Sequence, residues 1–434
     1  MAAVIASAVV GACGGSTSEE ASNPRGAPDA GGAAGAGHHD ADPCSGVLSF
    51  PDPALEHAVR RELRQLEGDI LAENALSLSS LVAGPDPIGD LVGIECLRGL
   101  TYLYLSNGTF SDLTPLSDLT SLRTLRIVSN ENVRDLGPLA GLFRIVTLEL
   151  RGTGVRDLGP LAGMQRLAEL SLAETGLSDL GPLAELTNVT DLSLRSNAVA
   201  DLRPLAPMVA LSEVDLSENL IRDLSPLADH PILERVDLSS NAVRDLTALA
   251  SLPRLRELLL AGNQVADISP LGVVSSLRRL DLDRNEVTDL EPLGPLTALQ
   301  HLTLEANGVS NLEPLRDLGE LEWLDLTDNQ VDDIEPLAAL SRLYLLRLGG
   351  NHVADASAVA QLLELDELDL TDNRVSDLDP LVENAGLGPC SNCGQLWHST
   401  DVVVLSGNPV DCEQQAGLLL ALREREVQVE VDCD

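Results

Sequence analysis

Apolar residues recur along this chain on two nested periods. Over short stretches they alternate with polar residues, and each such stretch returns 22 residues later. In the unit that begins at Val189, the apolar positions are Val189, Leu192, Leu194, Val199, Leu202 and Leu205, with Asn197 and Asp201 set between them. Counting Val189 as position 1, leucines at positions 4 and 6 flank polar residues at 3 and 5, the period of a half-buried strand. Stepping by 22 from Thr153 reaches Thr175, then Asn197, Asn219, Asn241, Asn263, Asn285, Asn307, Asn329, Asn351 and Asn373. Four residues after each rung stands an aspartate, from Asp157 to Asp377, replaced once by Asn311.

A fixed period of this length predicts a solenoid, each unit contributing one strand and one turn. Asn at position 9 has the short amide that satisfies turning backbone. Asp at position 13 reads as the N-cap of a short helical turn, and the proline three residues later falls where no intrahelical N–H is lost. Because the cap accounts for the aspartates, a serial calcium site is set aside. Asp90, Asp112 and Asp135 extend the series to fourteen units, with one 23-residue step between Asp112 and Asp135. The first unit is degenerate, keeping Leu78, Leu81, Ile88, Leu91 and Ile94, and a variant fifteenth strand follows at residues 402–412. At ~4.8 Å per strand the sheet is expected to run roughly 65–70 Å.

The pattern LxxLxLxxNxVxDLxPLxxL resembles the leucine-rich repeat, and its length with the DLxPL string is similar to the bacterial internalin-like class. The resemblance spans about residues 50–412. It implies a horseshoe-like α/β solenoid with a parallel β-sheet on the concave face, short helical or 3-10 turns on the convex face, and a cap at each end. It further implies that the asparagines stack into a buried ladder. The amphipathic stretch Phe50 to Leu63, with Leu55, Val59 and Leu63 on one face, resembles the N-terminal cap of such proteins. At the other end the chain reads as strand, helix, strand.

Composition sharpens the functional reading. The 434 residues carry 68 acidic and 28 basic side chains, for a formal charge of −40, and there is no lysine. That charge argues against nucleic acid and anionic membrane surfaces as partners. It suits a solvated surface, or an acidic groove for a basic partner. The opening run ends in Val10-Gly11-Ala12-Cys13, which resembles the lipobox of bacterial lipoproteins and marks Cys13 as the lipidated residue, although no Lys or Arg precedes the run. No later stretch is long and apolar enough to span a bilayer, so membrane attachment is expected through lipid only. The expected organisation is a signal peptide at 1–13, a Gly/Ala/Pro-rich tether at 14–43, an N-terminal helical cap at 44–75, repeats at 76–385 and a last strand with a disulfide-bonded cap at 386–434. The tether's mean reach is roughly 30 Å. Its His38-His39-Asp40 triplet lacks the preorganised geometry a metal site needs.

Setting Cys13 aside leaves six cysteines, consistent with an oxidising compartment. Cys412 and Cys433 bracket the C-terminal cap, Cys390 and Cys393 pair most simply with each other, and Cys44 and Cys96 then join the N-terminal cap to the first repeats. A redox-active CxxC lacks its βαβ context, and a zinc site on Cys390, Cys393, Cys412 and His398 is disfavoured by export.

In the class this chain resembles, positions 3, 5, 7 and 8 of each unit face outward from the concave sheet, and positions 3 and 5 supply the candidates. The candidate ligand contacts there are Tyr102, Tyr104, Arg126, Glu213, Asp215, Arg235, Asp237, Arg279, Asp281, His301, Trp323, Asp325 and Arg347. Tyr, Trp and Arg are the usual energetic anchors of interfaces. No phosphate loop, HExxH or nucleophile elbow is present, and no cofactor is implied. The chain therefore reads as a non-catalytic, lipid-anchored binding module. Its ligand is expected to be a protein or peptide, a basic one in particular, bound by a monomer at the bacterial outer membrane or cell surface, with the periplasm as alternative. A second reading has the exposed aromatics recognising glycan or cell-wall polymer.

Overall fold

The computed structural model describes residues 44–388 and 400–433. Each alternating stretch forms a strand of three to five residues, and all sixteen join one parallel sheet in chain order. The first eight are β1 (Ser80–Ala83), β2 (Tyr102–Ser106), β3 (Thr124–Val128), β4 (Thr147–Glu149), β5 (Glu169–Ser171), β6 (Asp191–Ser193), β7 (Glu213–Asp215) and β8 (Arg235–Asp237). The rest are β9 (Glu257–Leu259), β10 (Arg279–Asp281), β11 (His301–Thr303), β12 (Trp323–Asp325), β13 (Leu345–Arg347), β14 (Glu367–Asp369), β15 (Val402–Val404) and β16 (Gln428–Glu430). Positions 3 to 5 of the sequence unit are thus the strand.

Register follows the period. Leu280 pairs with Leu302 and Leu302 with Leu324, so identical positions meet and buried leucines form continuous columns. The unit from Leu277 shows the rule: Leu277, Leu280, Leu282, Val287, Leu290, Leu293 and Leu296 are all buried. Two steps differ. Leu125 pairs with Leu148, absorbing the extra residue between Asn130 and Val133, and Leu368 pairs with Val403 across an insertion. At position 20, where most units place an apolar residue, His230 is buried with its ring nitrogens 3.0 Å from the Leu227 carbonyl and 3.3 Å from that of Leu205.

The asparagine ladder is a set of two-faced clamps. Asn263 Nδ2 donates to the Leu260 carbonyl of its own unit (2.8 Å) and the Leu238 carbonyl of the preceding one (2.9 Å), while its Oδ1 accepts the Val243 N–H (2.9 Å). The same bonds recur at Asn219, Asn285 and Asn329. They recur again at Asn408 beyond the insertion, on Leu405, Leu370 and Val375. Thr153 and Thr175 keep the own-unit bond, to Leu150 and Leu172, and Thr175 Oγ1 also lies 3.0 Å from Asn197 Oδ1 of the next unit.

The turn differs from expectation by one residue. Asp201 does not occupy the N-cap: Leu202 does, and the 3-10 turn is Arg203–Leu205. Asp201 Oδ1 instead accepts the Arg203 N–H (3.0 Å), closing a local side-chain turn ahead of the helical one. Asp112, Asp245, Asn311 and Asp377 do the same. Hydrogen bonds from the side chain and backbone of Thr247 hold the Asp245 carboxyl below its ordinary value.

Position 8 carries a feature the sequence pattern did not announce. From Asn107 to Gly407 it is left-handed in every unit, with φ between +52° and +76°, although only Gly152, Gly262, Gly350 and Gly407 are glycine. The bend keeps the ladder paired beyond the strand, since the N–H at this position reaches the next unit's carbonyl, as Glu218 does to Ser239 (2.8 Å).

Helix α1 (Pro53–Leu63) covers the first unit, burying Leu55 and Val59. Its N-cap Asp52 accepts the Ala54 and Leu55 N–H groups through Oδ1 and those of Gly89 and Asp90 through Oδ2, so one carboxylate joins cap to solenoid. Burial pushes its carboxyl up, yet these four N–H groups hold it below its ordinary value. A disulfide links Cys44 to Cys96 and another links Cys412 to Cys433. Cys390, Cys393, His398 and Cys13 lie outside the described residues. Beyond β15 the chain forms a helix, Ala416–Glu424, and returns as β16, which extends the sheet as its last strand.

Candidate functional site

Because side chains alternate along a strand, residues at positions 3 and 5 share one face of the sheet, and neighbours across strands sit ~4.8 Å apart. Long side chains on this face therefore reach one another, and their pairing divides it into unequal regions.

In the C-terminal region the charged and aromatic side chains pack against one another, although Trp323 Nε1 is buried without a hydrogen-bond partner among the described residues. Arg347 lies 5.4 Å from the Trp323 ring centroid, 2.7 Å from Glu367 and 3.6 Å from Asp325. The Trp323 ring also meets His301 (centroids 6.2 Å apart) and, edge-on, Tyr344 (6.5 Å). Spacing assigned Leu259, Asp325, Leu345 and Glu367 to the outward face, but all four are buried. Arg347 lies against Asp325 and Glu367 and covers them. Burial and the Arg279 charge hold the His301 imidazole below its ordinary value, so it is neutral at pH 7. Two residues past β10, burial and the nearby Asp281 push the Asp283 carboxyl up to about 6.

Arginines expected as free contacts are engaged elsewhere too. Arg126 lies 3.6 Å from Glu149, and Glu257 stands between Arg235 (3.1 Å) and Arg279 (3.8 Å). Along the turn edge, Arg151 bonds Glu174 (2.8 Å), Arg195 bonds Glu218 (2.6 Å) and Arg284 bonds Glu305 (2.9 Å). Sequence reading missed these pairs. Their signal was the alternation of Arg235, Glu257 and Arg279 at one position on successive units.

Between these zones, from Arg126 on β3 to Arg235 on β8, the face dips into a groove floored by Leu170, Leu192, Val214, Ser171 and Ser193. Glu169, Asp191, Glu213 and Asp215 line it, and among the described residues none of the four makes an ion pair. Tyr102 and Tyr104 stand half-buried on β2, and Asp237 and Asp281 lie toward the C-terminal side.

Among the described residues, no three His, Cys, Asp or Glu side chains are gathered to hold a metal ion, and no helix is long and apolar enough to cross a membrane. Cys412 is taken by its disulfide, which removes it from the zinc set weighed on sequence.

No protein-family model matches the chain, and no curated protein does. Solved structures do. It is similar to the internalin InlF of Listeria monocytogenes at 30% identity and TM-score 0.69, over 73% of this chain and 94% of that one. A leucine-rich repeat protein of Leptospira interrogans aligns at 19% identity and TM-score 0.70, over 83% of this chain and 97% of the other. A plant peptide hormone receptor, RGFR1, solved in complex with RGF2, aligns at 20% identity and TM-score 0.61, over 79% and 57%.

Proposed function

Because this chain belongs to the internalin family of bacterial leucine-rich repeat proteins, we propose that it is a lipid-anchored binding protein whose concave sheet face receives a protein or peptide ligand at the cell envelope. The observation that carries the reading is the contrast between the faces. Turn and core positions repeat one chemistry in unit after unit, whereas outward strand positions vary from Tyr102 to Glu213 to Trp323. Variation on a rigid scaffold is where recognition resides. The peptide-bound plant receptor, alike in fold alone, is consistent with it. Disulfides at both caps support export to an oxidising compartment.

The protein reading is preferred over a glycan one because Arg347 and His301 lie against the Trp323 ring, leaving less of it for a sugar to stack on. The test is hydrogen exchange on the full chain with and without a partner recovered from envelope extract. Protection of strand amides from β2 to β14 is expected. Protection confined to the 3-10 turns refutes the concave face. Anchoring is checked by fatty-acid labelling, which Cys13→Ser should abolish.

A further inference from the structure

Glu169, Asp191 and Glu213 occupy the same strand position on β5, β6 and β7 and are direct register partners. Like charges placed directly opposite are destabilising, by a few tenths of a kcal/mol to about 1 kcal/mol per pair. At the same strand position on β8 to β10 the chain avoids that cost by alternating signs, Arg235–Glu257–Arg279. Here it does not. The nearest arginines are committed: Arg126 to Glu149, Arg151 to Glu174 and Arg235 to Glu257. Arg195 feels the charge of Asp215, but its guanidinium is bonded to Glu218.

The unneutralised stretch coincides with the groove, whose other lining groups are small hydroxyls and the apolar floor. Two arginines and five carboxylates line it. Its open ends are marked by the Arg126–Glu149 and Arg235–Glu257 pairs. We infer that this groove is the subsite for an extended, lysine- or arginine-bearing segment of the partner protein, its cations seated on Glu169, Asp191, Glu213 and Asp215. The inference rests on the concave-face reading and narrows it to three strands, β5 to β7, and one ligand chemistry.

The dimensions agree. The three stacked carboxylates span about 10 Å at ~4.8 Å per strand, and same-face residues of an extended peptide are ~6.8 Å apart. Two or three alternating basic residues therefore cover the stack when the segment runs across the strands.

The probe is a fluorescein-labelled dodecapeptide of alternating Lys and Thr, with a Glu/Thr counterpart, titrated against the full chain by anisotropy at 50–300 mM salt. Saturable one-to-one binding of the Lys peptide, weakening as salt rises, is expected, with none for the Glu peptide. The variant E169Q/D191N/E213Q should bind roughly tenfold more weakly, since three exposed ion pairs are lost. An equal charge change at exposed sites away from the groove, E286Q/E291Q/D317N, should stay within about twofold. Relief of the like-charge stack should also raise the thermal midpoint of the groove variant, which separates lost contacts from a damaged fold. Absence of peptide binding, or an equal loss in both variants, overturns the inference. If a recovered partner then still protects strands outside β4 to β8, only this subsite has failed. If it protects only the turns, the concave-face reading has failed with it.

Discussion

Replacing Asn263 with alanine tests the source of cohesion between repeats. The amide makes two buried donor contacts and one acceptor contact. The losses are unequal. The Leu260 carbonyl keeps the Asn285 amide and the Leu238 carbonyl keeps the Asn241 amide, but the Val243 N–H loses its acceptor. An orphaned buried N–H costs about 1–3 kcal/mol and each lost bond about 0.5–1.5 kcal/mol, so the substitution should cost about 2–6 kcal/mol. Asn263→Thr should cost about half as much, because threonine at this rung keeps the own-unit carbonyl bond, as Thr153 and Thr175 do. An exposed neighbour, Glu286→Ala, should stay within about 0.5 kcal/mol. Urea unfolding followed by circular dichroism gives the global value. Because a repeat array need not unfold all at once, exchange of the amides around Val243 gives the local one. A loss below about 1 kcal/mol, with those amides exchanging as in the unchanged protein, refutes the two-faced clamp. So does an Asn263→Thr variant as unstable as the alanine one.

Gly262→Ala tests the left-handed bend alone, since an added Cβ would meet nothing closer than 3.6 Å; at φ +67° it should cost about 1 kcal/mol by chemical denaturation. Removing the Cys44–Cys96 bridge with paired alanines should cost about 2–5 kcal/mol and speed proteolysis near α1 before that of the central repeats. Asp283→Asn should stabilise the protein at pH 7 and be nearly neutral at pH 4. The folded pKa is raised to about 6 from 3.8, so the aspartate's favourable protonation is complete below about pH 4 and fades as pH rises through about 6. Equal effects at both pH values would contradict the desolvation account.

The solenoid was legible because period, strand and core are one signal. Once Leu192 and Leu194 define a buried alternation, Asp191 and Ser193 must face the other way. The left-handed position was harder to read. Glycines at 152, 262, 350 and 407 mark it, but Glu174, Glu218 and Arg284 share the slot, and their conformation is imposed by pairing across units rather than by local preference. The candidate face was legible as a set of positions and not as a distribution of free charge. Arg347 reads as an available anchor until its contacts with Trp323, Asp325 and Glu367 are seen, because those depend on rotamers of side chains about 22 residues apart. The acidic groove was hidden for the converse reason: Glu213 and Glu257 look alike in sequence and both stand beside Arg235 in register, and only the rotamer of Arg235 assigns its guanidinium to Glu257.

The two-faced amide also has a hereditary consequence. Each asparagine rung from Asn197 to Asn373 offers its predecessor the same donor and acceptor, so any two of these units are compatible neighbours. Recombination between copies can therefore delete or duplicate a unit and leave a closed ladder, provided the exchange is in phase with the 22-residue period. An exchange off by one residue turns the leucine columns to solvent. Asn408, which closes onto Leu370 across an insertion, shows that the loop between rungs can change length freely as long as the rungs still meet. In this protein the number of units is the trait most open to drift, and the joint between them is what selection has to keep.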